Sequence, residues 1–286
     1  MRSQIALATS SFVARELNGS PPGGWRRDDP AHPFLGGWAE RAQAVLAWFA
    51  PEETYRERLD SLLGEVEAMG FGAVELWSGH LNPAWATDRQ LSIARELLDR
   101  RGMRVVAFHG YLGQDTASAV RACQIAQALG TGLLSGGGGP LLDDDRATAT
   151  AVLAEHGVRL AIENHPEHAT PQALLAEVGD GADGLIGVNL DTGWWGTHGY
   201  DPVKAVAELA DHLLHVQVKD VTEPGGHDPC RLGEGCVPVR DCLQALRGHG
   251  YAGAYALEHL PAHSTAAGLT ATCRADRRDL ESWLLP

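Results

Sequence analysis

Four side chains with metal-ligand chemistry close short alternating runs in the second half of the sequence. They are Glu163 in Leu160-Ala161-Ile162-Glu163, Asp191 in Val188-Asn189-Leu190-Asp191, Gln217 in His215-Val216-Gln217-Val218, and Glu258 in Tyr255-Ala256-Leu257-Glu258. Strict alternation predicts strands, with apolar side chains on one face and polar ones on the other. Ala161, Glu163 and His165 then share a face, as do Asn189 and Asp191, and His215, Gln217 and Lys219. If these strands lie side by side, four oxygen donors converge. Three carboxylates gathered without a cation repel, and one of them would stay protonated. A divalent metal removes the conflict. An all-oxygen set suits hard or borderline ions, Mn²⁺ foremost, with Mg²⁺, Co²⁺ or Zn²⁺ as alternatives. Any one of these acids alone reads as a cap or an ion-pair partner. The four together point to a site, because buried acids are rare unless paired.

The elements that must position them follow from the rest of the pattern. Strands are expected at 5–12, 72–77, 104–110, 131–135, 158–166, 185–192, 213–221 and 254–260. Helical spacing fills 52–69, 87–101, 115–129, 143–156, 170–178, 201–212, 239–248 and 270–284, with Gly70, Gly102, Gly130 and Gly157 as stops. No two-residue hairpin signal joins neighbouring strands. Alternating strands and helices of this number predict one α/β domain, an all-parallel sheet closed into a (β/α)₈ TIM barrel. An open doubly wound sheet fits less well, since no G-x-G-x-x-G follows the first strand. The glycine run at 136–139 lacks the Lys-Ser/Thr of a phosphate loop and is read as a place of close backbone approach. Residues 17–50, rich in Gly, Pro and Trp, form an insertion after the first strand. It is either a surface segment packed by its own tryptophans or a lid over the strand ends, where barrel active sites sit.

Composition narrows the partners. The 286 residues carry 23 Lys plus Arg against 37 Asp plus Glu, a net charge of −14. That field repels phosphate backbones, so no nucleic-acid partner is expected. Five cysteines without C-x-x-C spacing argue against a disulfide framework or a structural zinc site and fit a cytoplasmic, reducing setting. The first residues do not resemble a signal peptide, and no run approaches the ~18 apolar residues of a membrane span.

The same motifs, in this order, resemble a known superfamily. Leu-Ala-Ile-Glu163-Asn-His-Pro, Val-Asn-Leu-Asp191-Thr-Gly, His-Val-Gln217-Val-Lys-Asp, Leu-Gly-Glu-Gly at 232–235 and Gly-Tyr251-Ala-Gly-Ala-Tyr-Ala-Leu-Glu258-His are similar to the xylose isomerase-like TIM barrels. This sugar phosphate isomerase/epimerase group includes ketose 3-epimerases, inosose and 3-dehydroshikimate dehydratases, and the metal-binding subunits of C-glycoside-cleaving enzymes. The resemblance implies that Glu163, Asp191, Gln217 and Glu258 bind one divalent ion. It also implies that Glu163 and Glu258 form an acid/base pair on opposite faces of a carbon beside a carbonyl, working through a metal-stabilised enediolate. Two positions depart from the epimerase pattern. Gln217 stands where those enzymes carry the second His of His-x-His, and Trp194 stands where they carry a substrate-binding His. An amide oxygen can replace imidazole as a ligand; a tryptophan adds a flat apolar wall and favours a larger, ringed substrate.

The expected activity is therefore isomerase or epimerase chemistry on a sugar or polyol-like carbonyl compound. A lyase of the same superfamily is the second reading, and a non-catalytic sugar-binding barrel the third; intact Glu163 and Glu258 speak against that last one. The substrate contacts expected are His109, His165, Trp194, Lys219, Arg231 and Glu75. His80 and His198 fall in strand–helix loops and are read as idle surface histidines. The partner is a small carbohydrate-like molecule, and a homo-oligomer is compatible with the sequence.

Overall fold

The computed structural model describes residues 4–12, 38–259 and 266–285. Helix boundaries follow local capping chemistry. Thr87 Oγ1 accepts from the Gln90 backbone N–H, while the Gln90 side chain accepts from the Thr87 N–H, a reciprocal cap. Asp115 makes a reciprocal cap with Ser118, and Asp145 caps its helix by accepting from Thr148 N. Gly157 ends its helix in the left-handed conformation at φ 61°.

The elements are β1 (Ile5–Ala8), α1 (Trp38–Phe49), α2 (Glu52–Ala68), β2 (Ala73–Trp77), α3 (Asp88–Arg100), β3 (Arg104–Tyr111), α4 (Thr116–Ala128), β4 (Leu133–Gly137), α5 (Gly139–Asp144), α6 (Arg146–His156), β5 (Arg159–Glu163), α7 (Pro171–Val178), β6 (Ile186–Asp191), α8 (Thr192–His198), α9 (Pro202–Leu209), β7 (Leu213–Val218), β8 (Asp220–Val221), β9 (Pro229–Cys230), α10 (Val239–Gly248), β10 (Tyr255–Leu257) and α11 (Ala266–Trp283). Eight strands close into a parallel barrel in the order β1-β10-β7-β6-β5-β4-β3-β2. The expected (β/α)₈ TIM barrel is the observed fold. β8 and β9 form a separate antiparallel pair in the loop beyond β7.

Alternation sorts the strand side chains into two environments. Val188, Leu190, Val216, Val218 and Leu257 are fully buried and join the large core cluster. Each such aliphatic side chain contributes ~1.5–3 kcal/mol by leaving water. Ala107, Leu133 and Ala161 form a second, small cluster. They lie two residues before His109, Ser135 and Glu163 on the same strands, so the interior is apolar low in the barrel and polar toward the C-terminal strand ends.

Several boundaries differ from the sequence expectation. Strand geometry stops at Ala8, and Thr9–Phe12 continue as a 3-10 turn. The part of the 17–50 insertion that is described, Trp38–Phe49, is a helix with Val45 and Phe49 buried one turn apart. The rest of that insertion, and with it the lid reading, lies outside the described residues. The fourth strand runs over Leu133–Gly137, so it takes in the first two residues of the glycine run. A Cβ on Gly136, at φ +132°, would lie 2.5 Å from Gly110 O, which is the close backbone approach expected there. No helix among the described residues is long and apolar enough to cross a membrane.

Candidate active site

The C-terminal ends of β5, β6, β7 and β10 bring the candidate side chains together. Glu163, Asp191 and Glu258 each offer a carboxylate oxygen, and those atoms lie within 4.8 Å of one another. All three residues are buried, between 0 and 4% exposed. Local structure fixes them. Asn164 grips the end of β6, its Nδ2 donating to Asp191 O at 3.0 Å and its Oδ1 accepting from Asp191 N at 2.8 Å. Asp191 Oδ1 accepts from Gly193 N at 2.7 Å, because Asp191 is also the N-cap of α8. Ser10 Oγ donates to Glu258 Oε1 at 2.7 Å.

Lys219 stands among these acids. Its Nζ is 2.7 Å from Asp191 Oδ2 and 2.6 Å from Glu258 Oε2. The ammonium is the one cation these two oxygens face, and it answers the charge of both. Burial raises the Asp191 carboxyl to about 7; Lys219 opposes the rise while Glu258 and Glu163 add to it. Burial also pushes Glu163 upward, but the neighbouring His165, His109 and Lys219 outweigh it and hold that carboxyl below its ordinary range. Burial pulls the Lys219 ammonium down, yet Asp191, Glu258 and Glu163 leave its pKa raised.

A second polar layer adjoins the first, built around Glu75. This carboxylate has no exposed surface. It meets His215 Nε2 at 2.8 Å, His109 Nδ1 at 2.9 Å, Ser135 Oγ at 2.9 Å and Gln217 Nε2 at 3.0 Å. Gln217 Oε1 in turn accepts from Asn189 Nδ2 at 2.9 Å, and the same Asn189 nitrogen is 3.4 Å from Glu163 Oε2. Gln217 is thus brought to the cluster with its carbonyl oxygen committed to Asn189. Burial lowers the His109 pKa, but its bond to Glu75 and the charges of Glu75, Glu163 and Glu258 lift it to about 9.

The remaining expected contacts divide. His165 Nε2 is 3.2 Å from Glu163 Oε1, and its ring meets Trp194 edge-on at 6.2 Å. Trp194 forms a wall there, 5.7 Å from Lys219 Nζ. Arg231 is turned elsewhere. It pairs with Asp279, with Asp276 at 3.5 Å and with Glu234 at 3.5 Å, tying its loop to α11. The idle reading of His80 is corrected: it is fully buried, 3.0 Å from Thr9 Oγ1, with its ring edge-on to Phe49 and Trp77. Its burial follows from the 3-10 turn after β1, which brings Thr9 to it.

Three contributors carried no sequence signal strong enough to single them out. Asn189 faces inward as the alternation predicts, but its bridging role depends on neighbours in two other strands. Ser10 follows β1 at the functional end of the barrel, where polar loop residues merit attention. His227 stacks on Trp194 with centroids 3.6 Å apart and planes 13° apart, and its Nδ1 is 2.7 Å from Thr197 Oγ1. The loop that brings His227 is pinned by Asp220, which accepts backbone N–H bonds from Gly233, Gly235 and Val237 at 2.9, 3.0 and 3.0 Å. The Leu-Gly-Glu-Gly motif is therefore a scaffold for the site wall.

A family model described as xylose isomerase-like TIM barrel matches residues 63–274. The chain belongs to this family. Within solved structures, a xylose isomerase-like TIM-barrel protein from Mycobacterium smegmatis, in complex with magnesium, is similar at TM-score 0.68 and 18% identity, covering 98% of this chain and 96% of its own. A D-tagatose 3-epimerase-like protein matches at TM-score 0.65 and 18% identity, over 78% of this chain and 92% of its own. A probable 3-DHS dehydratase of petrobactin synthesis from Bacillus anthracis matches at TM-score 0.60 and 16% identity, over 97% and 98%. No sequence among curated proteins matches the chain. This xylose isomerase-like barrel thus shares its fold with structures named for isomerase, epimerase and dehydratase activities.

Proposed function

We propose that this barrel is a divalent-metal-dependent isomerase or epimerase acting beside the carbonyl of a sugar or polyol-like substrate. One observation carries the reading: three buried carboxylates converge within 4.8 Å at the functional end of the barrel. Two of their oxygens, Asp191 Oδ2 and Glu258 Oε2, face a cation already, the ammonium of Lys219, which marks the pocket as one built for positive charge. An all-oxygen donor set fits Mn²⁺ foremost, and Mg²⁺, Co²⁺ or Zn²⁺ after it. Glu163, Asp191 and Glu258 would hold the ion, with Gln217 as a fourth oxygen once its amide turns from Asn189. Such an ion would polarise a carbonyl and lower the cost of negative charge developing on it.

The chain's own residues supply the rest. One of Glu163 and Glu258 takes the proton from the carbon beside the carbonyl, and the other returns one on the opposite face. Ser10 orients Glu258 for this through its 2.7 Å bond. Asn189 and His165 orient Glu163. His109, His165 and Lys219 are the polar contacts for substrate oxygens, and Trp194 is the wall a ring would face. Glu75 positions His109 and His215 rather than touching substrate, since it has no exposed surface. Arg231, paired with Glu234, Asp276 and Asp279, is left out of these contacts. Free cysteines at 123, 230, 236, 242 and 273 suit a reducing cytoplasm.

A second reading is favoured by Gln217 and Trp194, the two departures from the epimerase pattern. In a lyase the same first carboxylate takes the proton, and the second protonates a departing hydroxyl or aglycone. The near full-length similarity to a probable 3-DHS dehydratase suits that reading.

The test is a metal assay followed by isotope exchange. Wild-type protein is expected to hold one equivalent of divalent ion and to exchange a substrate C–H with deuterated solvent across a panel of ketoses, inososes, dehydroshikimate and keto-glycosides. Glu163→Gln should lose both, exchange falling by on the order of 10²–10⁴. Loss of water or aglycone from the product selects the lyase. A chain that binds no ion and is unaffected by chelation sinks both readings.

A further inference from the structure

The cation inside the carboxylate cluster belongs to the chain itself. A divalent ion held by oxygen ligands sits ~2.0–2.2 Å from each. Asp191 Oδ1 and Glu258 Oε1 already accept from Gly193 N and Ser10 Oγ, so the oxygens best placed for the ion are Asp191 Oδ2 and Glu258 Oε2, the two that Lys219 Nζ already approaches at 2.7 and 2.6 Å. An ammonium and a divalent ion touching the same pair of oxygens stand within a few ångströms of each other, with little water to screen their repulsion. They exclude one another. Glu163 is the carboxylate that Lys219 leaves to the histidines, His165 at 3.2 Å and His109 at 3.8 Å. The internal cation therefore covers part of the ligand set and leaves the remainder open to an ion.

We infer that Lys219 is a built-in competitor for the metal: its side chain neutralises Asp191 and Glu258 in the metal-free chain, must turn aside for an ion to bind, and so sets how tightly that ion is held. The inference rests on the metal-dependent reading above. The backbone is fixed and the side chain alone moves. Lys219 N and O are both bonded to Thr192 Oγ1, at 2.9 and 2.7 Å, which staples β7 to the start of α8. The aliphatic stem runs over Gly193, where a Cβ would lie 2.6 Å from Lys219 Cδ, so the glycine leaves the stem room. Trp194 lies 5.7 Å from Nζ and offers the displaced ammonium an aromatic face. The exchange is a rotation about side-chain torsions, and the ammonium keeps its proton throughout.

The experiment is Mn²⁺ titration of the full chain by calorimetry, with melting temperatures recorded in chelator and in Mn²⁺. Wild type is compared with Lys219→Met, Lys219→Gln and Lys219→Arg. The Met and Gln variants are expected to bind Mn²⁺ at least tenfold more tightly, and to melt lower than wild type in chelator but not in excess Mn²⁺. The Arg variant, still cationic, is expected to gain nothing. If the Met variant folds only with Mn²⁺, its affinity is read by chelator competition from the loaded protein. Wild-type or weaker affinity in both neutral variants overturns the inference while leaving the functional reading standing. Absence of Mn²⁺ binding in wild type and in all variants overturns both.

Discussion

Two clusters of buried charge adjoin inside one barrel, and they are built on opposite principles. Around Glu75, one carboxylate meets four donors at 2.8–3.0 Å: His215, His109, Ser135 and Gln217. Around Lys219, two carboxylates share one ammonium at 2.7 and 2.6 Å, and a third, Glu163, stands beside them. A buried carboxylate whose lone pairs are filled by directed donors is part of the framework. One whose charge is answered only by a point cation still has coordination capacity. Burial alone does not separate the two, since Glu75 and Asp191 are both fully buried. The donor count does.

Single substitutions should break this contrast if it is wrong. Glu75→Gln leaves two histidines without their carboxylate and is expected to cost about 3–5 kcal/mol, as for other broken buried pairs. Asp191→Asn in metal-free protein should cost less, because Lys219 keeps Glu258 as its partner at 2.6 Å. Its carboxyl is already raised to about 7, so the fold disfavours the ionised form that Asn removes. Urea unfolding in chelator measures both. Equal losses would mean that the upper cluster is as much framework as the lower.

Alternation made the upper cluster legible and left the lower one hidden, for a physical reason. A period of two tells which face a side chain takes, so the sequence alone puts Glu163, Asp191, Gln217 and Glu258 on inward faces. It does not tell which residues of neighbouring strands share a level. That depends on register, and register shifts twice where it matters. The β2–β3 pairing slips between Val74 and Glu75, and the β6–β7 pairing slips between Val188 and Asn189. These slips set Glu75 beside Ala107 and Asn189 beside His215, and Glu75 itself meets His215 140 residues away in sequence. Alternation without register puts Glu75 on a pocket-facing strand; in the barrel it is fully buried, 2.9 Å from His109 Nδ1. Arg231 shows the same dependence on tertiary neighbours: Asp276 and Asp279 reach it from α11, the latter 48 residues on in sequence. The eight-fold repeat, by contrast, needed only periodicity and helix stops.

A smaller effect should appear on titration. Burial lowers the His109 pKa and Glu75 raises it further, to a net value of about 9, above the ordinary ~6.5 of the unfolded chain. A raised folded-state pKa means that the folded form binds the extra proton. This stabilisation is complete below pH ~6.5 and is lost as pH climbs toward 9. The Asp191 carboxyl, raised to about 7, acts in the same direction: stability is lost as pH rises from ~4 through 7. Metal-free protein should therefore melt lower at pH 9 than at pH 6, by on the order of 5 °C. His109→Asn should flatten the upper part of the slope, and Mn²⁺ the lower part. A melting temperature that rises over that range would show that His109 is not held as an imidazolium by Glu75.

The smallest effect tests where the site wall falls between the two clusters. His227 stacks on Trp194 at 3.6 Å, and an aromatic pair of this kind is worth about 0.5–1.5 kcal/mol beyond its buried area. The loop behind it is held independently by the three backbone bonds to Asp220, so His227→Ala should not unfold the loop. The expected result is a loss of about 1 kcal/mol in urea unfolding, with a change in tryptophan fluorescence as the Trp194 face gains water. A loss near that of Glu75→Gln would place the wall with the framework. A loss within this range would leave Trp194 a surface that a ringed ligand can compete for, as an ion competes for the oxygens beside it.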